Sequence, residues 1–287
     1  MSRTVFLNGE YLPEDQAKVS IFDRGFLFGD GAYEVVPVLD GLMVDVEPFL
    51  VRLENSLAQL QIEWPCSKDD YLEMHRQLIT KNNLKEGVIY SQVTRGVAER
   101  EFGFPKDTPT TLMAFTQEKP LLSNPQIETG IKVASVPDIR WKRRDIKSIA
   151  LLAQCLAKQQ AQEKGGYEGW MIEDGFVTEG TSSSAYIVKD GVLITRPLNN
   201  SILAGIRRKI LLKLAREHQI RVEERPFTID EAYNADEAIM SAATSVLAVV
   251  EIDGKKVGDG KPGQVFKQLR ALYLENAREH SVVQIAG

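Results

Sequence analysis

Apolar positions along this chain fall into two rhythms, and the switches between them mark out the elements. TVFLNGEYLP alternates and breaks at Asn8-Gly9, which predicts a hairpin. GAYEVVPVLDGLMVDV predicts two strands about Asp40-Gly41. The rhythm then changes. EPFLVRLENSLAQLQI repeats its apolar residues at helical spacing. SKDDYLEMHRQLITKNNL opens on a serine followed by acids, the start signal of a second helix. GVIYSQVTRG and TPTTLMAFTQ are apolar and β-branched, as strands require. The polar, proline-bearing EKPLLSNPQ (118–126) reads as a linker, dividing the chain into domains 1–120 and 121–287.

Beyond the linker come a strand, IKVASV, and a helix, SIALLAQCLAKQQAQEKGG, stopped by Gly165-Gly166. GWMIEDGFVTEG and SSSAYIVKDGVLITRP predict short strands with Asp-Gly turns. NNSILAGIRRKILLKLAREHQI predicts a helix with a polar approach. EAIMSAATSVLAVVEIDGKKV reads as strand, small-residue loop, strand, and GQVFKQLRALYLENAREH as a closing helix. Helices and strands are mixed but hairpins dominate, so the expected class is α+β rather than doubly wound.

Composition narrows the function. The 287 residues, 43% hydrophobic and 26% charged, suit a soluble globular enzyme of two modest domains. A net charge of -5 argues against a nucleic-acid partner. No apolar run reaches membrane-spanning length, and MSRTVFLNGEYL lacks a signal-peptide layout, so cytoplasmic residence is expected. Cys66 and Cys155 lie in unrelated contexts, which disfavours a disulfide scaffold. His75, His218 and His280 have no metal-ligand spacing, so no metal is expected and Ser–His hydrolysis starts poorly.

Candidate chemistry begins with RWKRRDIKSIALLA (140–153), where Lys147 follows a basic run and precedes small and apolar residues. One reading is a surface lysine opening a helix. The other takes Arg143, Arg144 and desolvation together as favouring a neutral amine, the form that Schiff-base chemistry needs. The same cations could form a polyanion patch, but Asp145 and the acidic whole argue against it. In FVTEGTSSSAYIV, Glu179 ends a strand ahead of hydroxyl residues that include Ser183. It is either a solvated turn residue or an acceptor facing a ligand. A carboxylate against a pyridine nitrogen would keep that nitrogen protonated and make the ring an electron sink. Two loops could hold phosphate: Gly205 ahead of a helix, with Arg207 and Arg208 behind it, and the small-residue loop holding Ala243 and Thr244. Taken together, a lysine, a distant glutamate and two anion-friendly loops suggest pyridoxal phosphate.

Six motifs, in order, carry a resemblance to a known family: FDRGFLFGDGAYEVV (22–36), FLVRLENS (49–56), DIRWKRRDIKS (138–148), VTEGTSSSAYIV (177–188), ILAGIRR (202–208) and SAATS (241–245). From about residue 3 to about residue 275 the chain resembles the fold-type IV, class IV aminotransferases, and within them most closely the D-amino-acid aminotransferases. That resemblance implies a fold of two α/β domains with the cofactor site between them, and a homodimer. It implies that Lys147 forms the Schiff base and shuttles the proton, and that Glu179 pairs with the pyridine nitrogen. Arg52 would grip the cofactor phosphate, with Gly205, Ile206, Arg207, Ala243 and Thr244 as further anchors and Leu203 under the ring. On the substrate side it implies Tyr33, Val35, Phe28, Ser183 and Arg100.

The departures matter as much. Many relatives have threonine at the Arg207 position, so a hydroxyl contact is lost. The family's Arg-x-His pair for the substrate carboxylate survives as Arg100 with Phe102 in the histidine place. Pro37 stands where a lysine is frequent, a feature closer to (R)-selective amine transaminases, while Phe28 still looks like the D-amino-acid group. Val35 and Pro37 replace the glycine and arginine of branched-chain enzymes. The expected reaction is transfer of an amino group from a D-amino acid such as D-alanine to a 2-oxo acid. An (R)-amine transaminase and a 4-amino-4-deoxychorismate lyase are the alternatives.

Overall fold

Turn chemistry sets the hairpins. In the computed structural model, which describes residues 2–283, Asn8-Gly9, Asp40-Gly41, Asp174-Gly175 and Asp190-Gly191 all have positive φ at both positions. That is the type I′ geometry whose twist matches the flanking strands, and it explains the Asn/Asp-Gly pairs. Met1 and residues 284–287, the last of which end the second domain span read from the sequence, lie outside the described residues.

Packing divides the chain into two units. One runs to Pro120 and takes in Ile146–Leu151 and the stretch from His280; the other comprises Leu121–Asp145 and Leu152–Glu279. The first contains β1 (Thr4–Leu7), β2 (Glu10–Pro13), α1 (Arg24–Phe28), β3 (Gly31–Leu39), β4 (Leu42–Met43), α2 (Val46–Leu60), α3 (Lys68–Lys81), β5 (Gly87–Thr94) and β6 (Thr111–Glu118). Its six strands form an antiparallel sheet in the order β2-β1-β6-β5-β3-β4. Helix α2 lies against β3, and α3 against β1 and β6. As expected from SKDD, the Ser67 side chain caps α3 by accepting from the Asp70 N–H.

The core beneath α2 and α3 holds Phe49, Leu53, Tyr71 and Leu78, and it also buries His75 completely. The His75 Nδ1 lies 2.7 Å from the Tyr71 carbonyl, which calls for a proton there, while Nε2 is buried without a partner. Burial lowers its pKa to about 4, against a smaller opposing effect of that hydrogen bond. The unfolded chain therefore takes up this proton at a higher pH than the folded one. Stability is lost as pH falls through about 6.5 and levels off near 4, a loss of about 3 kcal/mol. A His75→Leu variant should lack this component. Urea unfolding at pH 7 and pH 4 checks it: equal acid losses in both proteins would assign the sensitivity elsewhere.

The second unit contains α4 (Gln126–Thr129), β7 (Ile131–Pro137), α5 (Leu152–Glu163), β8 (Glu168–Glu173), β9 (Phe176–Gly180), β10 (Ser184–Lys189), β11 (Val192–Thr195), α6 (Ile206–Glu217), β12 (Arg221–Glu224), α7 (Ile229–Tyr233), β13 (Glu237–Ala242), β14 (Ser245–Ile252), β15 (Lys255–Lys256) and, up to Glu279, α8 (Gln264–Val283). Eight strands run in the order β12-β11-β10-β13-β14-β7-β8-β9, with β15 beside β14. Three pairings, β11 with β12, β14 with β7 and β7 with β8, are parallel. Trp170, Ile187, Phe227 and Leu247 lie in its core. One element differs from the sequence expectation. The helix read from Ser148 begins only at Leu152, so Lys147 does not open a helix. Residues 147–149 instead run along β3: Ser148 bridges Ala32, Tyr33 N–H donates to the Lys147 carbonyl, and Ile149 N–H donates to the Gly31 carbonyl. A free sheet edge claimed a segment that local spacing assigned to the helix.

Candidate active site

Lys147 is held by its backbone. Its N–H donates to Ser56 Oγ on α2 at 3.2 Å, and its carbonyl accepts from Tyr33 at 3.1 Å. The ammonium is thereby aimed over the Tyr33 ring, 4.1 Å from its centroid. Strand alternation puts Tyr33 and Val35 on one face of β3. Tyr90, opposite Val35 on β5, stacks on Tyr33 at 5.4 Å, and burial, then the Tyr33 hydroxyl, raise its pKa. Arg143 is paired with Asp145, and Arg144 with Glu173 and Asp138, so neither is a bare charge beside Lys147.

Arg52 lies one turn before Ser56 on α2. Its guanidinium is gripped by Glu34, Nε to Oε1 at 2.7 Å and Nη2 to Oε2 at 2.6 Å. Glu34 is wholly buried and also accepts from Val35 N–H. A fork of this kind fixes the plane of the arginine. Glu34 escaped the sequence reading, although an arginine in the apolar rhythm of α2 signals that a buried acid is needed.

Of the substrate-side candidates, Phe28 on α1 and Arg100 come together. Arg100 is exposed, with its guanidinium carbon 5.6 Å from the Phe28 ring centroid and 5.8 Å from that of Phe102. Phe102, in the place of the family's histidine, thus contacts the arginine through its π face and offers no hydrogen bond. Pro37 is buried in β3 opposite Val88.

In the second unit Glu179, at the end of β9, is 5% exposed. It ends a line of alternating charge. Glu173 pairs with Arg144 at 2.7 Å, Arg144 with Asp138 at 3.4 Å, Asp138 with Arg140 at 2.7 Å, and Arg140 with Glu179 at 2.5 Å. Lys142 also acts on the Glu173 end of this line, so three carboxylates face three cations. Burial works to raise the Asp138 carboxyl, but Arg140, Thr178 and Arg144 together hold it below the usual range. For Glu179 the balance differs: burial pushes it up, and Arg140 and the Leu203 N–H offset only part of that. Leu203 N–H reaches both carboxylate oxygens at 3.2 Å. Of the basic run read as a possible polyanion patch, Arg140 and Arg144 are therefore internal.

Both phosphate candidates are open backbone. Gly205 is the N-cap of α6 and makes no side-chain cap; no acid lies in the first turn. The first bond of the helix runs from Lys209 N–H to the Gly205 carbonyl, so the N–H groups of Ile206, Arg207 and Arg208 lie ahead of it. A Cβ at Gly205 would come 2.9 Å from Ser184 Oγ, so a larger residue there would require that hydroxyl to shift. Ala243 and Thr244 form the two-residue turn between β13 and β14. Ser183 turns towards a residue missed from the sequence: Glu168, 1% exposed, accepts from the hydroxyls of Thr181, Ser182 and Ser183.

The first unit thus carries a lysine on an edge segment and a forked arginine. The second carries a buried carboxylate held by Arg140 and the Leu203 N–H, and a helix start with no side-chain cap. The family model described as amino-transferase class IV matches residues 31–252. The chain is 39% identical to a D-alanine aminotransferase of Staphylococcus aureus (strain MSSA476), covering 97% of this chain and 99% of that one. It is 41% identical to one from Staphylococcus haemolyticus, covering 93% and 95%. Among solved structures, the T.th. branched-chain amino acid aminotransferase with pyridoxamine 5'-phosphate superposes with a TM-score of 0.89 at 23% identity, covering 96% of this chain and 94% of that one. The Escherichia coli branched-chain enzyme gives 0.84 at 26%, with the same coverage. This protein belongs to the class IV aminotransferases and has their fold-type IV architecture.

Proposed function

We propose that the protein is a pyridoxal-phosphate-dependent transaminase that moves an amino group from a D-amino acid, such as D-alanine, to a 2-oxo acid, such as 2-oxoglutarate or pyruvate. The observation that carries the reaction class is Glu179, a carboxylate buried at the end of a line of ion pairs and raised by that burial. A protonated pyridine nitrogen is a cation that would favour its ionised form. The D-alanine aminotransferases that match nearly the whole chain support the substrate side.

When bound, the cofactor supplies an aldehyde for amines and a ring that draws electrons from the donor's Cα. In this reading Lys147 is the amine that tethers it and, once displaced by the donor, the base that takes the Cα proton. Arg52 and the starts of α6 and β14, with Gly205, Ile206, Arg207, Ala243 and Thr244, would take the phosphate, and Leu203 would contact the ring. Tyr33, Val35, Phe28 and Ser183 bound the substrate. Arg100 takes its carboxylate, its guanidinium held by Phe28 and Phe102 rather than by a histidine.

Residues 1–120 and 121–287 are read as its two domains, with Ile146–Leu151 packing with the first. A homodimer in the cytoplasm completes the proposal. Ile21, Phe22, Phe26 and Val97 are exposed around α1, the kind of apolar surface that a second copy would cover. Among the described residues, no helix is long and apolar enough to cross a membrane, and no cluster of His, Cys, Asp and Glu could hold a metal ion.

The visible absorption of the holoenzyme tests the reading. D-Alanine should bleach it and 2-oxoglutarate should restore it, while L-alanine leaves it unchanged. Bleaching only by (R)-1-phenylethylamine would sink the D-amino-acid assignment. Arg100→Ala should raise the KM for D-alanine by about 10- to 100-fold, the worth of one charge-assisted hydrogen bond. An unaltered KM would mean that another group binds the carboxylate.

A further inference from the structure

Arg207 occupies a place where many relatives carry threonine, and its side chain has an unusual set of contacts. Nη2 donates to the Ala243 carbonyl at 2.5 Å. The guanidinium carbon sits 3.9 Å from the centroid of Tyr273, a buried ring on α8. Nε is buried without a hydrogen-bond partner. Among the described residues no carboxylate pairs with Arg207, whereas its neighbour Arg208 is paired with Glu224. So the arginine that begins α6 crosses to the turn between β13 and β14, and it is seated on a ring from a third element.

We propose that Arg207 is a positioning residue that straps the Ala243–Thr244 turn to the start of α6, and so sets the spacing of the two backbone anion sites. The inference rests on the reading that both sites take the phosphate of one cofactor. Its physical basis is geometric. Each site is a set of N–H groups on a short piece of backbone, and an oxyanion can be held by both only if their separation is constant. A two-residue turn at the end of a hairpin has few restraints of its own. The bond to the Ala243 carbonyl supplies one beside the N–H groups in question, and stacking on Tyr273 fixes the rotamer that makes it. A threonine could not span the distance. This chain has exchanged a hydroxyl contact for a brace.

The test compares affinities of the full-length protein, freed of cofactor, for pyridoxal 5'-phosphate and for pyridoxal, which lacks the phosphate. Arg207→Leu keeps bulk and should weaken pyridoxal phosphate by about tenfold or more while leaving pyridoxal unchanged. Arg207→Lys keeps the charge but lacks the planar fork, and should recover little of that loss. Thr244→Ala should weaken pyridoxal phosphate in the native background but add less than about threefold to Arg207→Leu, because an unstrapped turn no longer presents its hydroxyl. Full recovery by lysine would show that charge alone matters and overturn the strap. So would independent, multiplicative losses in the double variant, or an equal weakening of pyridoxal. If Thr244→Ala by itself left pyridoxal phosphate affinity untouched, the phosphate reading of the turn would fall, and the strap with it.

Discussion

Lys147→Ala is expected to abolish transamination, with turnover falling by about 10⁴-fold or more, because the proposed function makes one side chain both tether and base. The fold should survive the change. Lys147 is secured through its backbone to Ser56 and Tyr33, and its side chain rests on the Tyr33 ring. An alanine keeps both backbone bonds. Loss of activity with unchanged thermal unfolding would therefore report chemistry rather than misfolding. Steady turnover of D-alanine by purified Lys147→Ala, with no amine added, would refute the assignment.

Glu179→Gln is expected to lower kcat by about 10²- to 10³-fold, the scale on which removing one preorganised electrostatic partner acts. Glutamine preserves volume but removes the charge that completes the line from Glu173 through Arg144, Asp138 and Arg140. A buried group in that line has no water to replace the missing charge, so the loss should appear in kcat more than in KM. Cofactor should remain bound, since Arg52 and the α6 start are untouched. An unchanged kcat would end the pyridine-nitrogen role. Arg140, donating to Glu179 at 2.5 Å and to Asp138, holds this carboxylate in place. Burial nonetheless leaves Glu179 raised above the usual carboxylate range, which makes its ionised form dependent on a cationic neighbour.

Elements whose cause is local were legible in the chain. Asn-Gly and Asp-Gly pairs foretold tight turns because only those residues adopt left-handed φ cheaply. The Ser67 cap and the apolar stripe of α2 were likewise readable. The start of α5 was not. SIALLAQ has helical spacing, but residues 147–149 pair with the edge of β3, and a strand about 115 residues earlier is invisible to local periodicity. Candidate positions such as Lys147, Glu179, Arg52 and Gly205 stood out through family motifs. Their partners Glu34, Arg140 and Glu168 did not, since a charged residue in a strand or loop reads as solvated until burial is known.

By itself, then, the sequence determined the class of fold, the hairpin turns and the family, and it nominated the candidate residues, all of which follow from short-range spacing or from motifs within a dozen or so residues. Only the tertiary structure decided how those residues are held. It aims Lys147 at Tyr33 through a borrowed sheet edge, forks Arg52 with a buried acid, neutralises the basic run within the second unit and turns Arg207 into a brace. Each of these depends on pairing groups far apart in the chain. Burial is what makes the pairing obligatory, because a charge removed from water must find its opposite nearby.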